Sequence, residues 1–141
     1  MKRAFSLVEI LVVLSIVGVL AAVVTLSVVG VQQKNRNAQR STHISIILNA
    51  VYQYALDNNN QLPPSITTAT TSICRTTAAT CSGLIDLSVL TTNQKYLPSI
   101  PTDPSNTSTT STGYTIVKNS VGRITIAASG AEASTTISTT R

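Results

Sequence analysis

Residues 1–24 read MKRAFSLVEILVVLSIVGVLAAVV. Between Phe5 and Val31, a run of 27 residues, the only charged side chain is Glu9. As an α-helix that run is about 40 Å long, whereas a bilayer core needs only about 20 residues. It predicts a helix that crosses a membrane once. Lys2 and Arg3 stand just before it. By the positive-inside bias they hold the N-terminus in the cytoplasm and send the remainder outward. An ordinary signal peptide is the competing reading. Its apolar core is usually about 7–15 residues, shorter than this run.

Glu9 sets the second expectation. Ionisable groups within a membrane are costly and are generally paired. No basic residue lies inside the run, and Lys2 and Arg3 lie outside it. The counter-charge therefore comes from another molecule, which points to assembly.

The stretch AFSLVEILVVLSIVGVLAAVV resembles the N-terminus of type IV prepilins and of the related type II secretion pseudopilins. That pattern joins a short basic leader, a small residue, Phe, a few apolar residues, Glu at the fifth mature position and a long apolar helix. The resemblance implies a leader of residues 1–4, cut between Ala4 and Phe5 by a prepilin peptidase that then methylates the Phe5 amine. It implies that Glu9 pairs with the Phe5 amine of a neighbouring subunit during assembly. Two charges costly alone in an apolar bundle are tolerable together, and a misregistered subunit would leave both unpaired. Ala4 stands where the family usually has Gly, and Leu26 where many members have Pro. Gly18 and Gly30 are then the weak points of the helix, since Gly costs about 1 kcal/mol there.

After Val31 the composition turns polar and basic, QQKNRNAQRSTH, yet no Pro or Gly stops the helix. Apolar residues return at Ile44, Leu48, Val51 and Ala55, with Ile47 and Leu56 alongside. These offsets fit one face of a helix. DNNNQLPP ends it, because Pro63–Pro64 forbid continuation. One helix from Phe5 to Asp57 would run roughly 80 Å. Its first half, residues 5–31, suits lipid or a filament core. Its second, residues 32–58, should pack its greasy face on a small head.

That head is residues 59–141. GYTIVK (113–118) and RITIAA (123–128), joined by NSVG, read as an antiparallel hairpin. GLIDLSVL (83–90) is ambiguous between strand and helical turn, and YLPSIPTDP (96–104) is extended or turning. The Ser/Thr-rich stretches 105–112 and 134–141 read as mobile surface. Asn106-Thr107-Ser108 fits the acceptor pattern for an Asn-linked glycan. The fold class is α+β: a long helix, transmembrane in its first half, on a small antiparallel head of pilin-like type.

The totals exclude more than they assign. The 141 residues suit one domain, and the net charge is +5. Arg75, Lys95, Lys118 and Arg123 are scattered along the chain, so nucleic acid is an open but unsupported partner. Cys74 and Cys81, with six residues between them, suit a disulfide outside the cytoplasm, with free thiols as the alternative. That bridge would contribute about 2 kcal/mol. Two cysteines cannot close a zinc site, and His43 is far from them in sequence. Major pseudopilins often hold calcium in the head through acids. Asp103 and Asp86 supply too few of the six or more oxygens required. Hence no metal and no cofactor are expected. There is no catalytic set, no phosphate loop and little material for acid–base chemistry, so the chain reads as no enzyme.

The favoured expectation is a structural subunit of a type IV pilus. Its partners would be its own copies, the prepilin peptidase, the pilus assembly platform and the inner membrane. It would end in an extracellular pilus. A secretion or competence pseudopilin, in a periplasmic pseudopilus, is the first alternative. A single-pass anchored binding domain that never polymerises is the second.

Overall fold

The structure, a computed structural model, describes residues 6–141, the side chains at 24–27 excepted. The leader and the proposed cut at Ala4 and Phe5 lie outside the described residues. The chain divides into two compact units, Met1–Asn35 and Arg36–Arg141.

Helix α1, Leu7–Asp57, runs through both without interruption. Its backbone is helical at Gly18, at Leu26 and at Gly30, so neither glycine breaks it. It ends at three asparagines. Asn59 and Asn60 take left-handed backbone angles (φ 54° and 60°), which asparagine tolerates better than most residues. The Asn60 N–H donates to Ala55 O at 2.8 Å and the Asn58 side chain to Tyr54 O at 2.7 Å, so the last carbonyls find partners.

In the second unit α1 buries Ile44, Ile47, Leu48, Ala50, Val51 and Ala55. Leu56 does not join them. It is 75% exposed, because it stands about 100° round the helix from Ala55. The buried face packs against a four-stranded antiparallel sheet in the order β1 (Thr71–Cys74), β2 (Ser111–Lys118), β3 (Ile124–Ala128), β4 (Ile137–Thr140). Alternation decides the sheet faces: Thr112, Tyr114 and Ile116 of β2 point inward beside Ile124, Ile126 and Ala128 of β3. The β2–β3 hairpin pairs Tyr114 with Ala128 and Lys118 with Ile124. Its turn is closed by the Asn119 side chain, which accepts from the N–H groups of Val121 and Arg123.

Three stretches depart from the sequence reading. The ambiguous 83–90 stretch divides: Ile85 bridges in parallel to Ile73, and Ser88–Thr91 form the short helix α2. The 105–112 stretch is pinned rather than loose. Asn106 accepts from Ser108 N and donates to Ser111 O at 2.6 Å, so its side-chain amide is already engaged. Thr112 is fully buried and donates to Ile73 O. The 134–141 tail contributes β4, paired with β3 from Thr125↔Thr140 to Ala128↔Ile137. A hydroxyl-rich composition hid both: the first is held by side-chain hydrogen bonds within a loop, and β4 is a half-exposed edge strand that needs little apolar surface. Cys74 and Cys81 are joined, with Cα atoms 5.6 Å apart.

Candidate functional site

Glu9 lies in the first turn of α1. Ser6 O accepts the N–H of Glu9 at 3.1 Å and of Ile10 at 3.3 Å, which starts the helix. Unpaired N–H groups give this end a partial positive charge, so a carboxylate is favoured in the first turn. Dipole support is not a counter-ion, however. The ion pairs among the described residues join Arg36, Arg40 and Lys95 to Asp57, Asp103 and Glu132, and none includes Glu9.

The surface around Glu9 is apolar on every side. From Leu7 to Val23 each side chain is exposed, including Leu7 at 81% and Val8 at 67%. Among the described residues this is the one helix long and apolar enough to cross a membrane, with a mean hydropathy of 2.9 over its window. A helix apolar all round is stable only when lipid or other helices cover it.

The head holds a second charged constellation, built on the opposite plan. Arg40 is 0% exposed and donates through Nε to Asp103 Oδ2 (2.6 Å) and through Nη2 to Asp103 Oδ1 (3.1 Å). The same guanidinium reaches Ser105 Oγ, Glu132 Oε1 and Asn37 Oδ1 at 2.7–3.0 Å. Arg36 clasps both oxygens of Glu132, at 2.7 and 2.6 Å. Asn37 donates to Glu132 O and Thr135 Oγ1, which holds a turn whose Ala133 and Ser134 are left-handed (φ 57° and 55°). One turn of α1 thus ties the 103–105 loop and the 130–135 turn to the helix.

Electrostatics follow from these contacts. Burial pushes the Asp103 carboxyl up, but Arg40 and the Ser105 N–H and hydroxyl outweigh it and leave it below the ordinary range. Hydrogen bonds from Arg36, opposed by desolvation and aided by Arg40, bring Glu132 down to about 2. Space is tight as well. A Cβ at Gly130 would come within 2.9 Å of Asp103 Oδ2, and one at Gly113 (φ +84°) within 2.8 Å of Asp103 Cβ. No spacing rule exposes this cluster, since its members lie up to 96 positions apart. One signal was present. Arg36 and Arg40 continue the four-residue step of Ile44 and Leu48, and an arginine on a core-facing stripe needs an anion.

The remaining candidates fall into place singly. His43 Nδ1 is 2.8 Å from the Tyr114 hydroxyl, with the rings edge to face, and burial raises the Tyr114 pKa. Tyr52 donates to Arg141 O, and Tyr54 meets Tyr96 edge to face. Asp86 accepts from Ser88 N, whereas Asp103 is held by Arg40. Among the described residues no group of three or more His, Cys, Asp or Glu converges on a point that could hold a metal.

The family model of the prokaryotic N-terminal methylation motif matches residues 1–25. The chain carries the type IV prepilin and pseudopilin signature. Neither a curated protein nor a solved structure matches it. The matched stretch holds Ala4, Phe5, Glu9 and most of the apolar run, and it stops before the head. The prepilin motif implies processing by a prepilin peptidase and polymerisation of pilin type. Together with the apolar helix it is consistent with a membrane-anchored protein. Motif and pilin-like fold both suggest a structural role rather than catalysis.

Proposed function

We propose that this prepilin-type chain is a structural subunit of a type IV pilus. The observation that carries the reading is the methylation motif on a helix whose first turn holds Glu9, which enters no ion pair among the described residues. The peptidase cuts between Ala4 and Phe5 and methylates the new amine. The helix, anchored in the inner membrane with its start in the cytoplasm, is then drawn into a filament by the assembly platform. Glu9 meets the Phe5 amine of an adjacent copy, and the apolar halves of α1 cover one another. The heads form the outer skin.

The head supports a pilus over a calcium-binding pseudopilus. Asp103 is held by Arg40 rather than free for a cation, and Asp86 is engaged by the α2 backbone. Intact-mass analysis of the protein from its native membrane tests the reading. The expected mass lacks Met1–Ala4 and carries one added methyl on Phe5. A mature chain that keeps those four residues overturns it.

A further inference from the structure

The sheet ends in two unlike edges. On the β1 side, Ile85 lies parallel to the strand: the Cys74 N–H donates to Ile85 O at 2.8 Å and the Ile85 N–H to Ser72 O at 2.9 Å. β1 is also irregular between Ser72 and Cys74. That edge is already taken. On the β4 side no strand or bridge among the described residues lies alongside.

Register decides which groups β4 leaves open. Ile124 and Arg141 exchange both main-chain hydrogen bonds, at 3.0 Å each. Antiparallel partners alternate between bonded and non-bonded pairs. Ile126↔Thr139 and Ala128↔Ile137 are then the next bonded pairs, while Ser138 and Thr140 turn their N–H and C=O groups away from β3. The β2 side has the same phase: the Ser129 N–H donates to Gly113 O and the Asn119 N–H to Arg123 O. Among the described residues the outward main-chain groups of Ser138 and Thr140 make no hydrogen bond.

Nothing in the strand guards this edge. β4 reads ISTT, with no charge, no proline and no bulge, the features that keep free edges from pairing. Arg141, next in the chain, is turned to α1, where its guanidinium lies 5.4 Å from the Tyr52 ring centre and contacts Asn49. The open strand edge that a second copy can offer is β4 itself. A two-fold axis at Thr139 sets Ser138 of each copy opposite Thr140 of the other, so that the outward groups of both bond. It also sets Thr139 against its own copy in a non-bonded pair, with Cα atoms about 4.5 Å apart. Neither strand carries a charge, so no like-charge repulsion opposes the contact.

We propose that β4 is a docking edge for β4 of a second copy, which joins two heads into one continuous sheet. The contact is isologous. It closes on two chains and is separate from any repeating contact that builds a filament. It belongs to the head and stands independently of the pilus reading. A strand of 4 residues gives a weak contact, so covalent trapping is the readout that detects it.

Full-length Thr139→Cys protein in neutral detergent is oxidised with copper–phenanthroline and run on non-reducing gels. Cys74 and Cys81 are already joined, so the new thiol has no competitor among the described residues. The expected product is a disulfide-linked dimer, about fivefold or more above that from Ser138→Cys, whose two copies are offset by two residues and lie beyond disulfide reach. Adding Ser138→Pro to Thr139→Cys removes an outward N–H, which a free edge tolerates, and should cut the dimer by about the same factor with melting unchanged. Ser138→Lys, which brings like charges beside the axis, should give the same loss without a backbone change. A Thr139→Cys dimer no more abundant than that of Ser138→Cys overturns the proposal, as does one that survives both changes at Ser138. So does a Thr139→Cys cross-link formed in native membranes with a different protein instead of a second copy.

Discussion

Glu9 and Arg40 sit on the same helix and face opposite problems. Glu9 stands on an apolar surface that is exposed among the described residues, and no ion pair among them includes it. Arg40 is fully buried, and five hydrogen bonds from its guanidinium join four side chains. The head holds its acids in contacts of its own: Asp57 with Lys95, Asp86 with the Ser88 N–H, Asp103 with Arg40, and Glu132 with Arg36 and Arg40. On the proposed reading, the N-terminal half leaves its charge and its apolar surface for another subunit to answer and is completed only on assembly.

That contrast breaks most severely at Arg40. Replacing it by Ala leaves Asp103 buried without a counter-charge, a loss of about 3–5 kcal/mol for breaking a buried pair. Thermal or urea unfolding of the head measures it. The double change Arg40→Met, Asp103→Leu removes both charges and should recover part of that loss. If the double variant were no better than Arg40→Ala, the penalty would lie in lost packing rather than in an orphaned carboxylate.

Gly113→Ala should come next, at about 1–3 kcal/mol. The left-handed backbone at φ +84° and the 2.8 Å approach to Asp103 Cβ both oppose a side chain there. An unshifted unfolding midpoint would show that the loop carrying Asp103 yields easily.

Acid should loosen the clasp by a smaller, graded amount. Asp103 and Glu132 both titrate below their ordinary ranges when folded, Glu132 near 2. A depressed carboxyl stabilises fully above its unfolded value and loses that contribution as pH falls through the folded one. Melting temperature should therefore fall between about pH 4.5 and pH 2, and less steeply in Glu132→Gln. Melting that is flat across this window, or equally steep in the variant, would contradict the assignment.

The sequence disclosed these regions unequally. The apolar run and Glu9 were legible because a membrane imposes a length and a composition on contiguous residues. The buried face at Ile44, Ile47, Leu48, Val51 and Ala55 was legible from helical spacing. The hairpin followed from β-branched alternation, to within two residues at its ends. β1 and β4 were not visible: TSIC and ISTT are four residues long, and their hydroxyls resemble loop. The Arg40 cluster was hidden for another reason. Its acids come from turns whose positions are set by the whole sheet, so only the paired arginines on the core stripe gave a local sign. The outward turn of the Ser138 and Thr140 main chain likewise depends on strand register, which no composition argument supplies.

The central claim is that the counter-ion of Glu9 belongs to a neighbouring subunit. Filament yield from Glu9→Gln, measured beside melting of its head, tests this most directly. The account predicts a protein that is made, kept in the membrane and unchanged in head stability, yet forms no filaments. Wild-type filament yield from that variant would contradict it.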